Sequence, residues 1–177
     1  MFLRRRRTHL LAFVWHLLDA RTRMFGEVEI MSETETSTEA LEAAKARRVE
    51  LKSAVSSVEK AAARPSSKPS WREDLLRELD DLRIALDQHV DEVEGDEGLL
   101  AELMFTVPRL ANKIDRVQAE HPGLQSQVTA TIETVTSSDD LEAVRDVVLD
   151  TLVSIARHRQ KGADLVYEGY SVDIGGG

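Results

Sequence analysis

The chain has 177 residues, of which 42% are hydrophobic, 31% charged and 5% aromatic, with no cysteine and a formal charge of −9. That length suits one domain with tails, and the absence of Cys excludes a disulfide scaffold, a thiolate metal site, an iron–sulfur cluster and a cysteine nucleophile. The acidic balance argues against general nucleic-acid binding, the scarcity of aromatic residues against a β-sandwich, and no apolar run of about 18 residues exists to span a bilayer.

Residues 1–30 carry six Arg against Asp19, Glu27 and Glu29, a net charge of +3 that leaves −12 on residues 31–177. Arg4 to Arg7 followed by Leu10-Leu11-Ala12-Phe13-Val14-Trp15 has the outline of an export signal. The apolar run is short, His16 and Asp19 interrupt its end, and no small-x-small cleavage site follows. Met31 opens a polar stretch that reads as an ordinary mobile N-terminus and as the start of the functional chain. Residues 1–36 are therefore expected to be an extension, 37–170 a four-helix bundle, and 171–177 a loose tail.

The first helix is expected over 37–63, with Leu41, Ala44, Leu51, Val55, Val58 and Ala62 at helical spacing and Arg48 on the same stripe. Arg64-Pro65-Ser66-Ser67-Lys68-Pro69 ends it, because each Pro disfavours helix in the residue before it. Ser70 predicts an N-cap for the second helix, with Glu73 as its capping-box partner, and Gly95 the stop. A short apolar segment, Leu99 to Val107, leads to Pro108, where a third helix begins and runs to about Val135. Pro122 is expected to kink or split it. Thr136 to Asp140 supplies a turn with capping residues, and the fourth helix follows to Tyr170. Four amphipathic helices with short links predict an all-α, up-down four-helix bundle.

Steps of three and four trace Leu75, Leu79, Leu82, Leu86, His89 and Val93 in the second helix. They trace Leu110, Ile114, Val117, His121, Leu124 and Val128 in the third. In the fourth they trace Leu141, Val144, Val148, Thr151, Ile155, His158, Gly162 and Leu165. Each apolar seam holds one imidazole and no other ionisable group. Counted from the turn between the last two helices, His121 and His158 fall within roughly 5 Å of each other along the bundle axis. Neutral imidazole is a common metal ligand, and bundle cores build metal sites from facing helices. Two readings stand on spacing alone: three ligands of one site, or three satisfied core histidines. Among nearby acids, Glu92 lies three residues after His89, Glu94 lies five after it and off its face, and Glu120 projects about 100° from His121.

The second half resembles the hemerythrin-like, HHE cation-binding family. The resemblance is carried by Ala85-Leu86-Asp87-Gln88-His89-Val90-Asp91-Glu92-Val93-Glu94, by Pro108-Arg109-Leu110 leading to Ala119-Glu120-His121, and by Ala156-Arg157-His158-Arg159-Gln160. It covers about residues 70–170. Members of that family hold a non-haem di-iron centre that binds or senses oxygen or handles iron. The resemblance implies a metal site of His89, Glu92, Glu94, His121 and His158, with iron as the cofactor. Four departures mark a degenerate member with a single-metal site or none, one being that the second-helix acid is offset, with Val93 four residues after His89. The first helix has Arg48 where the family supplies a His, Gly162 stands where a Glu is expected four residues after His158, and Pro122 directly follows His121.

The expected function is metal binding, with oxygen or redox sensing or iron handling as its use. The alternative is a metal-free helical interaction module with structural histidines, forming a homodimer or holding a protein partner through its acidic helices. An enzymatic reading has the least support, since no phosphate loop or nucleophile motif occurs. Neither nucleic acid nor a membrane is an expected partner, and a cytoplasmic location is expected.

Overall fold

The computed structural model describes residues 39–171, with side chains described from 44 to 170. The N-terminal basic and apolar segment, the start at Met31 and the tail beyond residue 171 lie outside the described residues. The elements in order are α1 (Glu39–Ala63), α2 (Trp71–Glu94), α3 (Leu99–Thr106), a 3-10 turn (Pro108–Leu110), α4 (Ala111–Gln118), α5 (His121–Ser137) and α6 (Leu141–Ser171). The described residues contain no strand. None of their helices is long and apolar enough to cross a membrane.

The architecture is the expected up-down four-helix bundle, with α4 and α5 together making the third long rod. α1 lies along α2, α2 along α5, α5 along α6, and α6 returns to α1. The periodic seams point inward, and Leu51, Leu75, Leu79, Leu82, Leu86, Ile114 and Ile155 are fully buried. Each such side chain contributes about 1.5–3 kcal/mol of burial free energy. The remaining helix, α3, closes one end of the bundle with Leu99, Leu100 and Leu103.

Pro122 acts as the sequence predicts. It occupies the first turn of α5, where its missing N–H costs nothing, and the third rod is interrupted at Ala119 and Glu120. Asp140 caps α6 by accepting the backbone N–H of Glu142 at 3.0 Å and of Ala143 at 3.2 Å.

Two expected caps form differently. Ser70 has helical backbone angles and makes no side-chain cap, and its Oγ instead donates to Asp74 Oδ2 at 3.4 Å. Gly95 ends α2 as expected, its N–H donating to the Asp91 carbonyl at 3.1 Å, but with φ of −57° and ψ of 160° it does so without a left-handed backbone. The backbone constraint falls on Gly98 instead. A Cβ there would lie 2.7 Å from the Glu92 carbonyl oxygen and 2.8 Å from that of Val93, so only glycine lets the chain pass this close to the end of α2.

Polar groups fasten the two ends. At one end Arg72 of α2 donates to the Val135 carbonyl and, at 2.8 Å, to that of Ser138, satisfying the C-terminus of α5. Arg145 lies 5.3 Å over the Trp71 ring and donates to the Arg64 carbonyl. At the other end Glu168 of α6 receives Arg109 at 3.2 Å and Lys113, and the Tyr170 hydroxyl donates to Glu102 at 2.8 Å.

Candidate metal centre

The apolar core is divided. One cluster contains Leu51, Leu86, Leu124 and Ile155; the other contains Ala44, Val93, Val117 and Leu165. The positions between them are His89 on α2, His121 at the start of α5 and His158 on α6, with Arg48 of α1 at the same level. A polar layer thus replaces one apolar layer, with one residue from each of the four rods.

The three rings pack edge to face, with centroids 4.6 Å apart for His121–His158, 5.7 Å for His89–His121 and 5.9 Å for His89–His158. Each ring offers one nitrogen to a group in which all three atoms lie within 4.8 Å of one another. His121 and His158 are only 1% and 2% exposed, and their Nε2 atoms are 3.0 Å apart. The depth match between these two seams is therefore realised, and His89 joins the same layer.

Behind the rings stand carboxylates. Glu94 Oε1 lies 2.5 Å from His121 Nδ1, and Glu120 Oε2 lies 3.1 Å from His158 Nδ1. Lys161 holds the other oxygen of Glu120. Ionised carboxylates only accept, so each of these Nδ1 atoms carries its ring's proton. With both rings neutral, two Nε2 lone pairs then face each other across 3.0 Å. Such a pair repels unless a cation, either a proton or a metal ion, lies on or between the two nitrogens. The third ring has its own defect, since His89 Nδ1 is buried with no hydrogen-bond partner.

Electrostatics favour the neutral form of His89 and of His158. Burial, together with the neighbouring His158, His121, Arg48 and Arg159, pushes the His89 pKa down from 6.5 to about 3. Burial also lowers that of His158, with His121 adding to the effect and Glu120 opposing it. For Glu120, burial pulls upward, but the bonds from Lys161 and His158 outweigh it and hold the carboxyl below its ordinary value. Neutral imidazoles are the metal-binding form.

Of the five site residues expected from sequence, the three histidines share one centre. Glu94 sits behind His121, and Glu92 faces α1, where its Oε2 lies 3.8 Å from Arg47 Nε. Glu120 belongs to the surroundings of the site, although its angular offset from His121 set it aside in sequence. On a bundle, a position about 100° from the core seam faces the adjacent helix, and here that helix is α6, which carries His158.

A cavity of about 40 Å³ opens beside the rings. Its walls are largely apolar, with Val93, Leu99, Val117 and Leu165, and Arg48 and Arg159 also line it. A Cβ built on Gly162 would meet nothing within 4 Å, so the wall one turn after His158 is open. No protein-family model matches the chain, and no curated protein or solved structure matches it at a significant level.

Proposed function

We propose that this protein binds a single first-row transition metal ion through His89, His121 and His158, and that iron is its working metal. The opposed Nε2 atoms of His121 and His158, each ring with its Nδ1 against a carboxylate, carry this reading. A histidine ligand held by a carboxylate at its far nitrogen is fixed in tautomer and orientation and made more basic. A tetrahedral ion with bonds of about 2.0–2.1 Å needs its nitrogens roughly 3.3 Å apart, close to the spacing of this pair. Iron is the finer part of the proposal. It rests on the resemblance to hemerythrin-like bundles and on the affinity of imidazole for iron among several metals.

A pair of irons fits poorly, because bridging carboxylates are required and both nearby Glu side chains are engaged behind ligands. Three protein ligands leave coordination positions for a small molecule, which suits sensing or iron handling. The bound ion would act there as a Lewis acid or redox centre.

A metal-free second reading rests on the same 3.0 Å contact, with a proton shared between the two rings. It makes the layer a structural feature of an interaction module. Elemental analysis of untagged protein, followed by calorimetric titration of the stripped chain with ferrous iron and zinc, separates the two. The metal reading expects about one ion per chain and binding far tighter than millimolar. No metal on isolation and no binding below millimolar would leave the shared proton.

A further inference from the structure

An ion held by the three histidines has to reach them, and His121 and His158 are almost completely buried. Along the bundle, an apolar cluster closes the layer on either side. Behind these two rings stand Glu94 and Glu120, each engaged with an Nδ1. The remaining side is the cavity, and its lining is uneven. Every lining residue from α3, α4 and α5 is buried, Leu99, Val117 and His121 among them. The half-exposed ones are Arg48 on α1, His89 on α2, and Arg159, Gly162 and Val166 on α6. Among the described residues, the cavity therefore meets solvent along the seam between α1 and α6, and His89 is the most exposed of the three rings.

We infer that this seam is the route by which the metal enters and leaves, and that Gly162 holds it open. Gly162 stands one turn after His158, and a Cβ there would meet nothing within 4 Å, so the space a larger residue would fill belongs to the passage. The 40 Å³ beside the rings has room for about three waters, enough for an ion to keep part of its hydration until imidazole replaces it. Arg48, on the facing rim, has a long flexible stem, so the gap widens by side-chain rotation without moving a helix. A cation passing Arg48 meets like charge, so the rate depends on the width left at Gly162 and not on attraction at the mouth.

The inference rests on the metal reading, and the chain's lack of cysteine lets the two fail separately. Gly162→Cys and, as control, Ser154→Cys each place a single thiol on α6, the control one turn before His158 and outside the cavity lining. Each folded full-length variant is stripped of metal and alkylated with N-ethylmaleimide, so the block is installed after folding. Cobalt(II) loading is followed by its visible bands, and release is timed against excess chelator. A blocked passage slows entry and exit by the same factor and leaves Kd unchanged, because the bound and free states are untouched. Alkylated Gly162→Cys should therefore load and release about tenfold more slowly than alkylated Ser154→Cys, at equal cobalt affinity. Gly162→Ala, which adds one methyl to open space, should slow both steps by a smaller factor. Equal rates in the two alkylated variants overturn the route while the metal reading stands. A change in affinity carried by one rate alone overturns the passage and makes Gly162 part of the site. Absence of any cobalt spectrum in the unmodified chain overturns the metal reading and the route with it.

Discussion

Glu120 and His158 meet from two different rods, Oε2 to Nδ1 at 3.1 Å, while Lys161, one turn beyond His158, holds the other carboxylate oxygen. The chain break at Ala119–Glu120 sets up this arrangement. It puts Glu120 just ahead of the first residue of α5, so that consecutive residues serve two rings: His121 enters the centre and Glu120 supports His158. Glu94 does the same for His121 from the end of α2. Each of these carboxylates thus comes from a different rod than the histidine it orients.

Removing one orienting carboxylate without changing shape should therefore weaken the centre while leaving the bundle folded. Glu120→Gln and Glu94→Gln are each expected to reduce metal affinity by about 10–100-fold, the usual effect of losing such a partner. Glu92→Gln, which alters only the half-exposed contact with Arg47, should leave affinity unchanged. Titration of the three variants with zinc checks the ranking, and helical circular dichroism confirms that each is folded. Equal affinities across the set would show that the carboxylates do not orient ligands.

The rods and their inward faces were legible in the sequence, because period and breakers are local. The Leu75–Val93 seam, the split at Pro122 and the cap at Asp140 all follow from residues a few positions apart. The matched depth of His121 and His158 was legible as well, since two seams counted from a shared turn fix it, whereas the register of His89 depended on how the Leu99–Val107 segment is placed. The partners of the rings were not legible. Glu94 and Glu120 are off the seams, and their roles depend on which helix stands beside which, a fact that no single seam encodes. Gly95 does end α2, as its place in the sequence says, but nothing local marks Gly98. The close backbone approach that demands glycine is at Gly98, and only the path of the chain into α3 reveals it.

Metal and histidine loss should interact in a way that a structural layer does not produce. An ion that binds only the native state adds RT ln(1 + [L]/Kd), roughly 2.7 kcal/mol at a hundredfold excess over Kd. Thermal unfolding of the stripped protein should accordingly shift upward on addition of zinc or ferrous iron. His121→Ala and His158→Ala should abolish the shift. Each should also cost about 1–3 kcal/mol without metal, through a cavity and a stranded carboxylate. Damage that is the same with and without metal would favour the shared-proton reading.

Acid should destabilise the metal-free protein earlier than its carboxylates alone would. The His89 pKa falls from 6.5 to about 3 in the folded chain, so between those values the unfolded state binds a proton that the native state refuses. Stability therefore rises with pH across that window, is fully present above 6.5 and is lost as pH falls toward 3. His158 is shifted in the same direction and adds to the effect. The slope contributed by each ring is at most about 1.4 kcal/mol per pH unit. Glu120, held below its ordinary value of 4.5, contributes stability that is lost only under more acidic conditions. Urea unfolding of the chelator-treated protein from about pH 7 down to about pH 5 thus reports mainly on the histidines. His89→Leu, which continues the apolar seam between Leu86 and Val93, should flatten the slope and raise stability at the acid end of that range. An unchanged slope in His89→Leu would mean that this ring is not held neutral by its burial and its cationic neighbours.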